Sequence, residues 1–184
     1  MAPNPSKHVV PVSASIGAQD ALADAIAAET PRLRRHAIYL LYNQADADDL
    51  VQDCLEAALR NRGALQDLAK LRSWLFSILN NLFLMRLRSK SRRGQALQIE
   101  EIADSLAAST SPEDRLVAHD LGCAMGRLSA EHRQILLLLN VEGYGYQEVA
   151  RTLGIPIGTV MSRLARARRR LRAVLEGQDL RLVD

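Results

Sequence analysis

The chain has 184 residues, 48% of them apolar but only 4% aromatic, with a formal net charge of +3. This composition supports one or two small helical cores, and the lack of any run of eighteen apolar residues excludes a membrane span. The two cysteines, Cys54 and Cys123, sit in helical apolar patterns as reduced thiols, and four scattered histidines with no CxxC or HxxxH spacing suggest neither a metal nor a cofactor.

The first stretch, MAPNPSKHVVPVSASIGAQD, has no apolar core of a secretion signal and reads as a flexible arm over residues 1–18, which keeps the protein in the cytoplasm. Asp20 to Glu29 is an alanine-rich helix. Thr30 and Pro31 then read as the N-cap and first residue of a second helix, running to about Asn43 and burying Leu33, Ala37, Leu40 and Leu41. A third helix begins after Asp46, with Asp48 and Asp49 where the helix dipole favours negative charge. Its core stripe is Leu50, Val51, Cys54, Leu55 and Ala58, and its outer face carries Asp49, Gln52, Asp53 and Glu56, a strip that suits a basic partner. Arg60 to Lys70 is a loop or broken helix. The fourth helix, Leu71 to about Ser89, turns Leu71, Trp74, Leu75, Ile78, Leu79 and Leu82 inward and ends in the basic RLRSKSRR. Trp74 is first of all a core anchor, while Asn80 and Asn81 either face solvent or meet unpaired bases.

Gly94 to Pro112 lacks a sustained period and is acidic, so it reads as a linker. A helix resumes from Glu113 to Leu128, and Ser129 caps the next one, which contains Ile135, Leu136, Leu138 and Leu139. Gly145 opens a short helix from Tyr146 to Leu153, Gly154 ends it and Pro156 starts another. In that last helix Val160, Leu164, Ala167 and Leu171 make an apolar stripe, and six arginines fall between Met161 and Arg172. This is the layout of a helix-turn-helix, in which the second helix enters the major groove; arginine suits it because its fork takes guanine O6 and N7 together, or a phosphate. Charge is segregated along the chain. Five bases lie between Arg86 and Arg93, six acids against one base between Gly94 and Asp120, and the arginines return after Met161. Two basic patches on either side of an acidic connector suit a protein that holds one nucleic acid at two places.

The expected fold is therefore all-α: an arm (1–18), a helical domain (19–93), a flexible acidic linker (94–112), a helix-turn-helix domain (113–176) and a short tail (177–184). DADDLVQDCLEAAL, LRSWLFSILNNLFLMRLRSKSRR and, after the linker, LSAEHRQILLLLNVEGYGYQEVARTLGIPIGTVMSRLARARRRL resemble, in order and spacing, the extracytoplasmic-function (ECF) sigma factors of bacterial RNA polymerase, over roughly Asp20 to Leu175. The resemblance implies a non-enzymatic subunit that docks on core polymerase through Asp48, Asp49, Gln52, Asp53 and Glu56. It implies that the loop from Arg60 to Lys70, with Trp74, Asn80, Asn81, Arg86 and Arg88, opens the promoter −10 element and captures an extruded base. Thr159, Ser162, Arg163, Arg166, Arg169 and Arg170 would then meet the −35 element, and an anti-sigma factor would restrain the protein. The linker, in such proteins, threads toward the polymerase active centre.

Three positions depart from the family pattern. Met85 stands where Asp or Asn is common, Met161 where many members have Arg, and Gly145 where Ser usually caps. A stand-alone helix-turn-helix regulator is the alternative, but it leaves the acidic strip and the Trp-Asn-Asn helix without a task. A pure protein-interaction module would leave the basic reading helix without one. For an enzyme, no nucleophile with its base, carboxylate pair or phosphate-cradling loop stands out.

Overall fold

The computed structural model describes residues 12–92 and 121–177, and among these every regular element is helical. The linker from Gly94 to Pro112, the helix start at Glu113, residues 1–11 of the arm and the tail from 178 lie outside the described residues.

The two helices expected on either side of Pro31 are one: α1 runs Val12–Leu41, and so begins within the stretch expected as an arm. A proline inside a helix costs about 3 kcal/mol, because it removes one backbone bond and crowds the preceding turn. Thr30 does not cap; its hydroxyl donates back to the Ile26 carbonyl at 3.0 Å. Ile26, Leu33, Ala37 and Leu40 bury one continuous face across the proline. At roughly 1.5–3 kcal/mol for each large aliphatic side chain, that burial outweighs the lost bond.

Tyr42, at φ 54°, ends α1 in the left-handed region. Asn43 then caps α2 (Gln44–Arg60), its side chain accepting from the Asp46 N–H at 2.9 Å, so α2 starts two residues before the expected point. The buried face of α2 is Ala47, Leu50, Val51, Cys54 and Ala58. Burial pushes the Cys54 thiol up to about 12, and its Sγ donates to the Leu75 carbonyl at 3.5 Å. A thiolate reagent at pH 8 is therefore expected to leave Cys54 unmodified in the native protein and to label it once urea unfolds the chain; rapid native labelling at Cys54, mapped by mass spectrometry, would contradict this packing.

Two short 3₁₀ turns, Arg62–Ala64 and Leu68–Lys70, carry the chain to α3 (Leu71–Arg92), with Asp67 accepting from the Ala69 N–H at the second. Leu71, Leu75, Phe76, Leu79 and Phe83 are buried in α3, while Trp74, Ile78 and Leu82 are only half-buried. The buried face is rotated from the expected stripe to include both phenylalanines because α3 is covered from two sides. α1 and α2 pack on one side and the C-terminal helices on the other.

The C-terminal half consists of α4, described over 121–126, then α5 (Ala130–Asn140), α6 (Tyr146–Leu153) and α7 (Ile157–Leu175). Ser129 caps α5 as expected, accepting from the His132 N–H. α5 is buried almost all round, from His132 to Leu138, because it packs on α6 and α7 and also on α1. One apolar cluster thus runs from Ile26 in α1 through Phe76 to Ala167 in α7.

Candidate functional site

The helix-turn-helix forms where the glycines and proline place it. Gly145 is the N-cap of α6, and the Glu148 carboxylate reaches back to accept from its N–H at 2.7 Å. Gly154, at φ 64°, ends α6 in the left-handed conformation, and the Ile155 N–H closes the turn on the Ala150 carbonyl. Pro156 caps α7, whose Val160, Leu164 and Ala167 pack inward. The opposite face presents Ser162, Arg166 and Arg169 to solvent, with Thr159 half-buried at its start. Arg163 is turned toward α5 and pairs with Glu131 at 3.1 Å. Arg170 is half-buried beside α5. The two methionines that depart from the family pattern, Met85 and Met161, are both exposed.

His132, on α5 beneath this arginine face, is buried. Burial, with Arg170, Arg163 and Arg166 nearby and only Glu131 opposing, pulls its imidazole below the ordinary value of 6.5. A base whose folded pKa is depressed binds its proton more readily when unfolded. Stability is accordingly expected to fall as pH drops below 6.5 toward the folded value, and His132→Gln is expected to flatten that part of a pH-dependent urea midpoint curve. An unchanged slope in the variant would remove His132 as the cause.

The acidic face of α2 is exposed as expected, but two of its carboxylates already have partners within the chain. Arg34 grips both oxygens of Asp48, and this bidentate hydrogen bond holds the Asp48 carboxyl below the usual range. Asp53 pairs with Arg86, and Gln52 donates to Glu56 one turn on. Asp49, Gln52, Asp53 and Glu56 all remain exposed. Arg86 therefore sits between the two expected sites: it also donates to the Asp46 carbonyl at 3.2 Å and ties α3 to α2.

The loop from Asn61 to Lys70 and the face of α3 carrying Ser73, Trp74 and Ser77 line a cleft of about 510 Å³. Its far wall is α6, through Glu148, Arg151 and Thr152. Asn81 and Arg88 are exposed. Asn80 is not: it is 1% exposed, its amide donates to the Phe76 carbonyl at 2.7 Å, and its oxygen accepts from Gln134 of α5 at 3.0 Å. The two amides that the sequence set side by side are thus parted by the helix geometry, one inward and one outward.

Three polar groups between the halves had no counterpart in the sequence reading. Glu142, in the turn after α5, has a side chain with no exposed surface, and Arg72, His36 and Arg32 lie around its carboxylate at 3.3, 3.4 and 3.7 Å. Arg72 also donates to the Glu142 carbonyl. Burial pushes the Glu142 carboxyl up, but His36 and Arg72 outweigh it and hold it below the usual range. Arg133 is buried and donates to the carbonyls of Met125, Gly126 and Leu128 at the end of α4 and of Leu40 at the end of α1. Its guanidinium stacks 4.6 Å over the Tyr42 ring, whose hydroxyl burial pushes up to about 12. Gln134 completes the set through Asn80. The one available signal was the polar run Glu131-His132-Arg133-Gln134 inside an apolar helix.

Comparison with known proteins agrees with this architecture. The family described as "Sigma-70, region 4" matches residues 118–171, and the "Sigma2 domain of PhyR" matches residues 26–80. The ECF RNA polymerase sigma factor EcfG of Rhodopseudomonas palustris is 36% identical over 160 residues, covering 85% of this chain and 86% of its own. Among solved structures, the sigma factor RpoE in complex with the anti-sigma factor NepR from Bartonella quintana superposes with a TM-score of 0.70 at 31% identity, over 84% of this chain and 96% of that one. CnrH in complex with the cytosolic domain of CnrY gives 0.62 at 25% identity, over 88% and 91%. Among the described residues no helix is long and apolar enough to cross a membrane. With a region 4 helix-turn-helix, a sigma2 domain and a full-length relative at this identity, the chain belongs to the ECF family of RNA polymerase sigma factors.

Proposed function

We propose that this sigma factor acts in the cytoplasm, catalyses nothing itself, and divides its work between residues 19–93 and 113–176. The acidic face of α2, with Asp48, Asp49, Gln52, Asp53 and Glu56, docks on core polymerase. The cleft of the 61–70 loop, with Trp74, Asn80, Asn81, Arg86 and Arg88, takes the melted −10 element. Unpaired bases are held by stacking and amide contacts beside a basic groove, and these residue types supply all three. Thr159, Ser162, Arg163, Arg166, Arg169 and Arg170 of α7 meet the −35 element, the first few toward base edges and the later arginines toward phosphates. An anti-sigma factor restrains the protein, as one accompanies each of the two structurally similar sigma factors.

The observation that carries this reading is the exposed face of Ser162, Arg166 and Arg169 on the second helix of a well-capped helix-turn-helix, in the same chain as an exposed acidic helix. In a purified system of bacterial core polymerase and a promoter-fragment library, adding the protein is expected to yield transcripts that share −35 and −10 elements. Arg166→Ala should weaken −35 discrimination by roughly 1–3 kcal/mol, the cost of one good bidentate base contact. Arg163→Ala should cost less, because its guanidinium must first leave Glu131. Asp49→Ala with Asp53→Ala should lower affinity for core polymerase. Absence of specific initiation by a protein that still binds duplex DNA alone would replace this reading with that of an ordinary regulator.

A further inference from the structure

The contacts between the two halves fall on the surfaces that the proposed function requires to be open. α6, the first helix of the helix-turn-helix, walls the cleft of the 61–70 loop and Trp74. Gln134 of α5 occupies the oxygen of Asn80. What holds α6 there is a concentrated polar junction: the α5–α6 turn, shaped by Gly143 at φ 72° and by the Glu142 and Tyr144 N–H groups donating to Leu137 and Leu138, aims Glu142 into the N-terminal half. Its buried carboxylate meets Arg32 and His36 of α1 and Arg72 of α3, while Tyr144 beside it packs on Phe76 and under Arg72. All three of those cationic or ionisable partners come from the N-terminal half, and the carboxylate comes from the C-terminal half.

We infer that Glu142 is a latch by which the free chain holds its two halves closed, with α6 over the 61–70 cleft and Gln134 on Asn80, so that the protein masks its own −10 surface until the latch opens. A carboxylate without solvent exposure keeps its charge only while its cationic partners surround it. Separation of the halves instead returns Glu142, Arg32 and Arg72 to water, where each is well solvated. The latch is therefore bistable: closed it is fully paired, and open it is fully hydrated. A partner that binds the closed arrangement better than the open one gains all of its hold by shifting this balance, with no need to touch DNA-reading residues itself.

The masking part of this inference rests on the assignment of the 61–70 cleft to −10 DNA; the latch itself does not, and two measurements separate them. Small-angle X-ray scattering of the full chain reports closure directly. Glu142→Gln, which keeps the shape and removes the charge, and Arg72→Ala, at the edge of the junction, are both expected to raise the radius of gyration above that of the wild type. Asp24→Asn, an exposed carboxylate on α1, should not. Far-UV circular dichroism should show unchanged helix content in every variant. The second measurement is binding of a fluorescent pool of short random-sequence single-stranded DNA, expected to tighten on the order of tenfold in both latch variants, the usual scale of such coupling. A radius of gyration that stays at the wild-type value in both variants overturns the latch. Expansion without tighter binding keeps the latch and overturns the masking, along with the assignment of this cleft to DNA.

Discussion

Replacement of Arg133 by methionine is expected to lower the unfolding free energy by about 3–5 kcal/mol, measured by urea denaturation. Methionine fills much of the same volume but donates nothing. The carbonyls of Leu40, Met125, Gly126 and Leu128 would then lose their common donor. Leaving a buried acceptor unsatisfied costs roughly 1–3 kcal/mol, and breaking a buried charged network sits at the upper end of single-residue effects. The physical origin is that two helices, α1 and α4, end with their carbonyls pointing into the same space. A single guanidinium at these negative ends answers both. Lysine should rescue little, because one compact ammonium cannot fan out to four carbonyls. A loss below about 1 kcal/mol would mean that water reaches these carbonyls when the guanidinium is gone.

Phe76→Ala is the second large effect, again about 3–5 kcal/mol, the range for truncating a fully buried aromatic. The ring has no exposed surface and stands edge-on between His36, 4.9 Å away in α1, and Tyr144, 5.7 Å away in the C-terminal half. Its removal opens a cavity at the junction of both halves, so the loss should exceed that of Leu71→Ala, a residue at the start of the same helix that is buried but not fully enclosed. Phe76→Leu should recover more than half of the loss, because it refills most of the volume. Equal denaturation midpoints for wild type and Phe76→Ala would show that the site collapses without a cavity.

Arg133, Phe76 and Glu142 together explain why the halves pack as one body. Each side supplies what the other lacks: α1 supplies an unpaired carbonyl to Arg133, the C-terminal turn supplies a carboxylate to Arg32, His36 and Arg72, and Phe76 fills the space between. For a sigma factor that must present two separated DNA-binding surfaces to one promoter, this packing makes the relation between the halves part of its regulation as well as of its stability.

Some errors of the sequence reading have a simple cause. Thr30-Pro31 carries a proper helix-start signal, yet α1 continues through it, because the apolar face from Ile26 to Leu40 is longer than the local signal. Asn80 and Asn81 looked equivalent, yet neighbouring residues on a helix differ by about 100° in direction, and only packing reveals which one is inside. Trp74 was expected in the core and lies instead half-buried on the cleft, while Phe76 and Phe83 took its place.

The amino-acid sequence by itself determined the all-helical class, the capped turn from Gly145 to Pro156, the acidic outer face of α2 and the basic face of α7. Caps, turns and amphipathic periods act over a few residues, so they are written locally and survive whatever the rest of the chain does. Only the tertiary structure decided that Asn80 is occupied by Gln134, that Arg133 serves the end of α1, and that Glu142 gathers three partners from the other half. Those pairs join residues 54, 93 and 70 positions apart, for Gln134 with Asn80, Arg133 with Leu40 and Arg72 with Glu142. Their strength comes from exclusion of water, a property of the assembled fold that no local pattern of residues carries.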